Sequence, residues 1–408
     1  MKTDITKQKL NTFVKRARLR RKQRQKFYLD EQGCLEFRTY SKEEASSWLN
    51  FSNRTAFDRF LAAKCKDMTF AQNSNNHFQF TLADLHELAE RKGLEPFKRA
   101  EGDKCQVIAF AQLKGGVGKT TAAITAAIGF STFNNTRLRV GFIDLDPQGT
   151  STLFGLPSMS DEDYSIGDIL TDNCEPDEGE TLEECVYSCF QDTRIPNFKF
   201  LPARIDDFMF EQYAEDVQIA GDALGAYRIL KEKVIDKVSD KFDVIFIDTA
   251  PSLNKLFVNA LYASTGIIIP FVPEYVVYDS TMKYVERLGG IYSKLDEAGH
   301  EGWDFIKFLI NNYDSQQQAI SRSETVHSRV MKDLRMTFEG DVLANVVNHS
   351  KAIPVCADGF KTIFDMASRD YPKNKKQLTT ANENWMAVLN EIEILILQQW
   401  GNDFGEFN

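Results

Sequence analysis

The chain has 408 residues, more than one ordinary hydrophobic core accommodates, and its 43% hydrophobic and 26% charged residues are typical of a globular protein in water. A formal net charge of -10 excludes a general polyanion binder, so any contact with nucleic acid must come from local basic patches. No apolar run approaches the ~18 residues of a membrane span, and the basic N-terminus lacks the apolar core of a signal peptide, so a cytoplasmic protein is expected. The seven cysteines are scattered without a Cys-x-x-Cys pair. Cys185 and Cys189 would share one face of a helix, but two ligands without partners do not make a metal site, and reduced thiols are expected.

In chain order, residues 1–38 predict a basic N-terminal helix. Residues 5–28 have strong helix formers, no proline or glycine, and a weak apolar stripe at Leu10, Phe13, Val14 and Ala17. The opposite face, from Lys15 to Lys26, is densely cationic. It reads as a dimerisation helix with its basic end near DNA phosphate, with a solvated helix or a membrane-surface helix as alternatives.

Residues 39–98 predict a small winged helix-turn-helix domain. Ser41 with Glu44 forms a capping box, and Ala45, Trp48 and Leu49 give the following helix an apolar face. A turn through Phe51 and Ser52 leads to a second helix with Ala56, Phe57, Phe60 and Leu61 inward and Asn53, Arg54, Arg59 and Lys64 outward, the latter as DNA-contacting candidates. Residues 67–80 predict two short strands around Asn73-Ser-Asn-Asn76 as the wing. Thr81 with Asp84 caps a further helix ending at Gly93. A helix-rich dimerisation module is the alternative. Residues 99–104 predict a linker.

The remainder, 105–408, predicts an α/β domain with a mostly parallel, doubly wound sheet. Val107 to Ala111 is an apolar run of strand length, followed by a glycine-rich turn and a helix over Thr120–Thr132. Gly115, Gly116 and Gly118 let consecutive backbone N–H groups around Val117 face an anion, Lys119 adds a mobile positive charge, and the helix adds its positive end. That combination points to a polyphosphate. Arg139–Pro147 is a buried strand ending in Asp144 and Asp146, and Phe242–Asp248 repeats the design with Asp248. Carboxylates at the C-terminal ends of parallel strands lie beside such a loop and can serve a magnesium ion or hold water. Further strands are predicted at 199–201, 266–271, 305–310 and 342–346, and helices at 279–298, 316–336 and 381–400.

The usual phosphate loop has glycine at position 113, where this chain has leucine, and here a second lysine, Lys114, precedes Gly115. With Lys114-Gly-Gly-Val-Gly-Lys-Thr-Thr121, Ile143-Asp-Leu-Asp-Pro-Gln148 and Ile247-Asp-Thr-Ala-Pro-Ser252, the chain resembles the ParA family of DNA-partition ATPases, in the long form that carries an N-terminal DNA-binding module. The resemblance covers about residues 105–370. It implies ATP or ADP as nucleotide and Mg²⁺ as metal, with Lys119 on the β and γ phosphates, Thr120 on the metal, and Thr121 near the α phosphate. It further implies Asp144 and Asp248 in support of the metal, Asp146 orienting the attacking water, and Lys114 reaching the nucleotide of the other subunit of a homodimer. Asn311 and Pro273 are implied near adenine. Implied partners are non-specific and operator DNA, the former contacted from the region of Lys351, and a ParB-type centromere-binding protein that stimulates hydrolysis. Association with the nucleoid follows.

MinD-like ATPases share these nucleotide motifs but attach to membrane through a C-terminal amphipathic helix, for which the acidic, glycine-broken Trp400–Asn408 is unsuited. A nitrogenase-reductase-like reading would need cysteines around an iron–sulfur cluster, with only Cys356 or the Cys185/Cys189 pair to offer. A transcription repressor that uses nucleotide only as a signal is the third alternative.

Overall fold

The computed structural model describes residues 2–31, 36–132, 136–160, 163–314 and 325–401. Helix α1 runs from Lys2 to Glu31, and every side chain described on it is exposed. The apolar stripe therefore stands in solvent, with Leu10, Phe13 and Val14 each about half exposed.

The next unit comprises β1 (Tyr40–Ser41), α2 (Lys42–Trp48), α3 (Arg54–Lys64), β2 (Ala71–Gln72), β3 (Phe78–Phe80) and α4 (Leu82–Lys92). Its boundaries follow from short-range hydrogen bonds. Ser41 and Glu44, then Thr81 and Asp84, form reciprocal capping boxes; Asn53 accepts from the Ala56 amide at 2.9 Å; and Gly93 ends α4 with φ +85. The side chain of Asn73 accepts from the amides of Asn75 and His77, which shapes the turn between β2 and β3. The three antiparallel strands lie in the order β1-β3-β2, and fully buried Phe57, Phe80, Leu85 and Leu88 form the core. Two helices followed by a hairpin and a further helix are compatible with the predicted winged module.

This unit is fastened to the larger one. The indole of Trp48 donates to the Thr132 carbonyl at 3.1 Å, Arg369 donates to the Thr39 carbonyl at 3.0 Å, and nearly buried Arg137 donates to the carbonyls of Leu94 and His86. The predicted linker is not loose. Arg99 donates to the carbonyls of Asp103, Ser239 and Phe242 and pairs with buried Asp243, while Phe97 stacks on Trp400 with ring centroids 4.9 Å apart. A charged, proline-containing stretch looks like linker because its partners lie far away in sequence.

The large domain continues with β4 (Gln106–Phe110), α5 (Lys119–Thr132), β5 (Val140–Leu145), α6 (Thr150–Gly155), α7 (Ile166–Leu170), α8 (Leu182–Ser188), β6 (Gln191–Asp192), β7 (Phe198–Leu201), α9 (Phe210–Ile219), β8 (Val244–Thr249), α10 (Lys255–Ala263), β9 (Gly266–Phe271), α11 (Tyr275–Glu297), β10 (Phe305–Ile310), α12 (Val326–Phe338), α13 (Ala352–Ala357) and α14 (Lys375–Gln399). The strands lie in the order β10-β9-β4-β8-β5-β7-β6, all parallel except β6. Alternate residues feed two opposite cores: Ile108, Phe110, Val244 and Phe246 face the side of α5 and α14, and Val107, Ala109, Ile245 and Ile247 face the other. This is the predicted doubly wound sheet.

Two predicted elements differ. Residues 342–346 are not a strand: the Leu343 and Val347 amides donate to β10 carbonyls at 3.0 and 2.8 Å, but those of Ala344 and Asn345 turn to the Glu391 carboxylate on α14. A side chain from a distant helix takes the donors that a ladder would use. The helix predicted at 316–336 begins at Val326, capped by Thr325, and its earlier part lies outside the described residues, as does the tail 402–408.

Candidate nucleotide site

The site forms where β4, β5 and β8 end. Asp144 and Asp248 are register partners on neighbouring strands, and Asp248 is also the register partner of Phe110, the last residue of β4. Parallel pairing of three apolar runs thus brings both carboxylates to the edge from which the glycine-rich loop departs. The loop itself needs glycine, since Gly116 and Gly118 both have φ +80. A Cβ on Gly118 would lie 2.4 Å from the Asn311 amide nitrogen. Asn311, at the end of β10, donates to the Val117 carbonyl at 2.9 Å, and its own amide donates to the Phe271 carbonyl at the end of β9. Buried Pro273 follows β9 at the same end.

Lys119 opens α5 and is only 6% exposed. Burial lowers its pKa, against the pull of the Asp248 and Asp146 charges. Thr120 and Thr121 follow on the same turn, half-buried. The two strand-end aspartates differ. Asp144 is saturated: it accepts from the Asp146 amide at 3.0 Å and from the Thr152 amide and hydroxyl at 3.0 and 2.8 Å. Burial pushes its pKa up to about 6, opposed by the hydroxyls and amides that face it. Both oxygens of Asp248 are buried, and no donor meets hydrogen-bond geometry there, the Thr120 hydroxyl lying beside them without the alignment of a bond. Its pKa is raised well above the ordinary value, first by burial and then by the charge of Asp144, with the Thr120 hydroxyl and the Lys119 charge pulling the other way.

An orphaned carboxylate beside a threonine hydroxyl fits a hydrated Mg²⁺ ion, which takes few protein ligands and completes its shell with water and phosphate oxygen. Among the described residues, no group of three or more His, Cys, Asp or Glu side chains could hold a metal by itself. Asp146 accepts from the Gln148 amide at 3.0 Å and is half-buried at the same edge.

Lys114 is half-buried, and its amide donates to the side chain of Gln112 at 3.3 Å. Gln112 is fully buried and donates in turn to Thr281 of α11 at 3.1 Å. Sequence reasoning passed over Gln112 and Thr152, whose partners are set by long-range packing. A polar residue directly after a buried strand was the available signal for Gln112. The DNA-contacting candidates lie elsewhere: Asn53, Arg54, Arg59 and Lys64 are exposed on α3, and Lys351 is exposed just before α13.

A family model described as an AAA domain matches residues 105–298. Plasmid partition protein A of Escherichia coli is 25% identical over 333 residues, covering 79% of this chain and 80% of that protein. A virulence plasmid ParA family protein of Chlamydia psittaci is 26% identical over 234 residues, or 57% of this chain and 83% of that one. A solved structure titled partition protein superposes with a TM-score of 0.66 at 21% identity, over 95% of this chain and 98% of its own. In sequence and in fold the chain is similar to partition proteins of the ParA family. The AAA-domain match spans the glycine-rich loop and both strand-end aspartates, and the structural likeness extends over the N-terminal unit as well. Among the described residues no helix is long and apolar enough to cross a membrane.

Proposed function

We propose that the chain is a DNA-partition ATPase in which ATP, bound with Mg²⁺ at the glycine-rich loop, joins two copies into a dimer that grips DNA without sequence preference. A ParB-type centromere-binding protein stimulates hydrolysis and release, and the exposed face of α3 binds operator DNA, so that the protein also represses its own operon. It works on the nucleoid.

The observation that carries this reading is the meeting of Lys119, Thr120 and the unpartnered Asp248 carboxylate at one sheet edge, with Lys114 at the mouth of the same loop. Phosphoryl transfer needs alignment and charge neutralisation more than covalent help, and these residues supply both. Backbone amides of Gly115 to Gly118 hold the phosphate oxygens, and Lys119 neutralises charge on the β and γ groups. Thr120 and Asp248 would hold Mg²⁺, which supplies charge stabilisation on the phosphate oxygens. Asp144 does its part through Asp146: by fixing the Asp146 amide it sets the loop whose carboxylate orients the attacking water. Lys114 completes the site of the partner copy, so hydrolysis depends on dimerisation and acts as a timer.

The test is DNA binding with ADP and with ATP, on operator and random duplexes, over a range of salt, with phosphate release followed in parallel. Operator preference with ADP, random-DNA binding with ATP, and phosphate release increased by DNA and partner together are expected. Nucleotide-controlled operator binding with no phosphate release would instead identify a repressor.

A further inference from the structure

Away from the nucleotide site, three cysteines meet. Their spacing puts Cys185 and Cys189 one turn apart on α8, facing the same way. The loop between α7 and α8 brings back Cys174, whose Sγ lies 3.2 Å from that of Cys185 and 3.4 Å from that of Cys189. All three are free thiols. Cys185 and Cys189 are buried at 4% and 3% exposure, whereas Cys174 is half-buried on an otherwise exposed loop. The other described cysteines, Cys65, Cys105 and Cys356, are buried without another thiol in contact. Among the described residues no such group is arranged to hold a metal ion, so the chemistry open to this cluster is that of thiols.

We propose that Cys174, Cys185 and Cys189 form a thiol–disulfide exchange site, in which Cys174 reacts first with a low-molecular-weight disulfide and one of the two helix cysteines then resolves it. In the first step Cys174 loses its proton to solvent and its thiolate attacks one sulfur of the small disulfide; that S–S bond breaks and one small thiolate leaves and is protonated. In the second step Cys185 or Cys189, deprotonated, attacks Sγ of Cys174 and expels the second small thiol. Two protein thiols are oxidised, one small disulfide is reduced to two thiols, and no other reactant is needed.

The geometry favours the second step. Closing 3.2 Å to the roughly 2.05 Å of a disulfide takes about 1 Å of movement, within reach of a loop side chain. Two resolving thiols lie within reach of one attacking thiol, so the product can isomerise between the two helix partners. The loop carries exposed Glu175, Asp177 and Glu178, which disfavour anionic oxidants and suit a cationic one. Burial pushes the Cys174 thiol up to about 11, so exchange quickens as pH rises. The same loop is already tied at Asp172 to Lys233 and Tyr213, both at 2.5 Å, and the disulfide adds a second tether to α8.

The experiment uses the full chain treated with cystamine under native conditions, followed by thiol blocking and peptide mapping. The expected result is a Cys174–Cys185 or Cys174–Cys189 link, loss of two blockable thiols, and slower proteolysis within residues 172–181. Cys174→Ser should give no link, and Cys185→Ser should divert it wholly to Cys189. Full blocking of all three thiols after treatment, a mixed disulfide that persists on Cys174, or a Cys185–Cys189 link in the Cys174→Ser variant would each overturn the proposal. None of these outcomes depends on ATP turnover.

Discussion

At the scale of single residues, the site sets one buried lysine against two buried aspartates of unlike surroundings. Lys119→Ala removes the main positive charge of the loop and is expected to weaken ATP binding by roughly 2–3 kcal/mol, on the order of 100-fold. Calorimetric titration measures this, and unchanged affinity would refute the assignment. Asp248 makes a separate prediction. Its folded-state pKa is raised, so its contribution to stability is intact below the ordinary carboxylate value and is lost as pH rises through the folded one. Asp248→Asn abolishes that loss. The nucleotide-free variant should melt above the parent at pH 8, by about 2–4 °C for each kcal/mol relieved, and the gap should close as the solution is acidified. It should also lose Mg²⁺-dependent stabilisation by ATP. Thermal melts at two pH values, with and without the metal and nucleotide, check both statements.

At the scale of elements, α5 carries the loop's helix end and packs under α14. They meet at Gly129, where a Cβ would lie 2.3 Å from Cδ1 of Leu389 and 3.0 Å from the Phe364 ring. Gly129→Ala should therefore destabilise the fold by about 1–3 kcal/mol in urea denaturation, although alanine is the better helix former. Helix α3 presents Arg54 and Arg59 to solvent while Phe57 holds it to the core. Changing both arginines to alanine should weaken operator binding and flatten its salt dependence, with melting unchanged. If footprints on operator DNA are the same for parent and variant, the unit serves dimerisation instead. The capping boxes and the turn at Asn73 were legible in the sequence because each joins residues within three or four positions, whereas β1 was not, since its pairing partner Phe80 lies far along the chain.

At the scale of the whole molecule, the proposal makes two copies build one reaction site. Lys114 sits at the loop mouth, held from behind by Gln112. Lys114→Ala should leave ATP binding intact and cut hydrolysis on the order of 100-fold or more, as loss of a cation supplied in trans does elsewhere. Phosphate release alongside nucleotide binding and sedimentation checks this, and normal turnover would remove the trans role. The anchoring of residues 94–104 by Arg99, Phe97 and Arg137 also packs the N-terminal unit against the nucleotide domain.

The sequence alone determined the glycine-rich loop, the strands that feed it, the two aspartates at their ends and the family resemblance. Those features rest on glycine spacing and apolar periodicity, which act over a few residues. Only the tertiary structure decided which aspartate is saturated and which stands unpartnered, because Thr152 and the neighbouring strand reach them through folding. It also decided that 342–346 meets β10 through the Leu343 amide while Glu391 takes the next two amides, that a linker-like stretch is anchored at Asp243, and that Cys174 joins the pair on α8. Each of these is set by groups brought together from distant parts of the chain, and no local pattern encodes such a meeting.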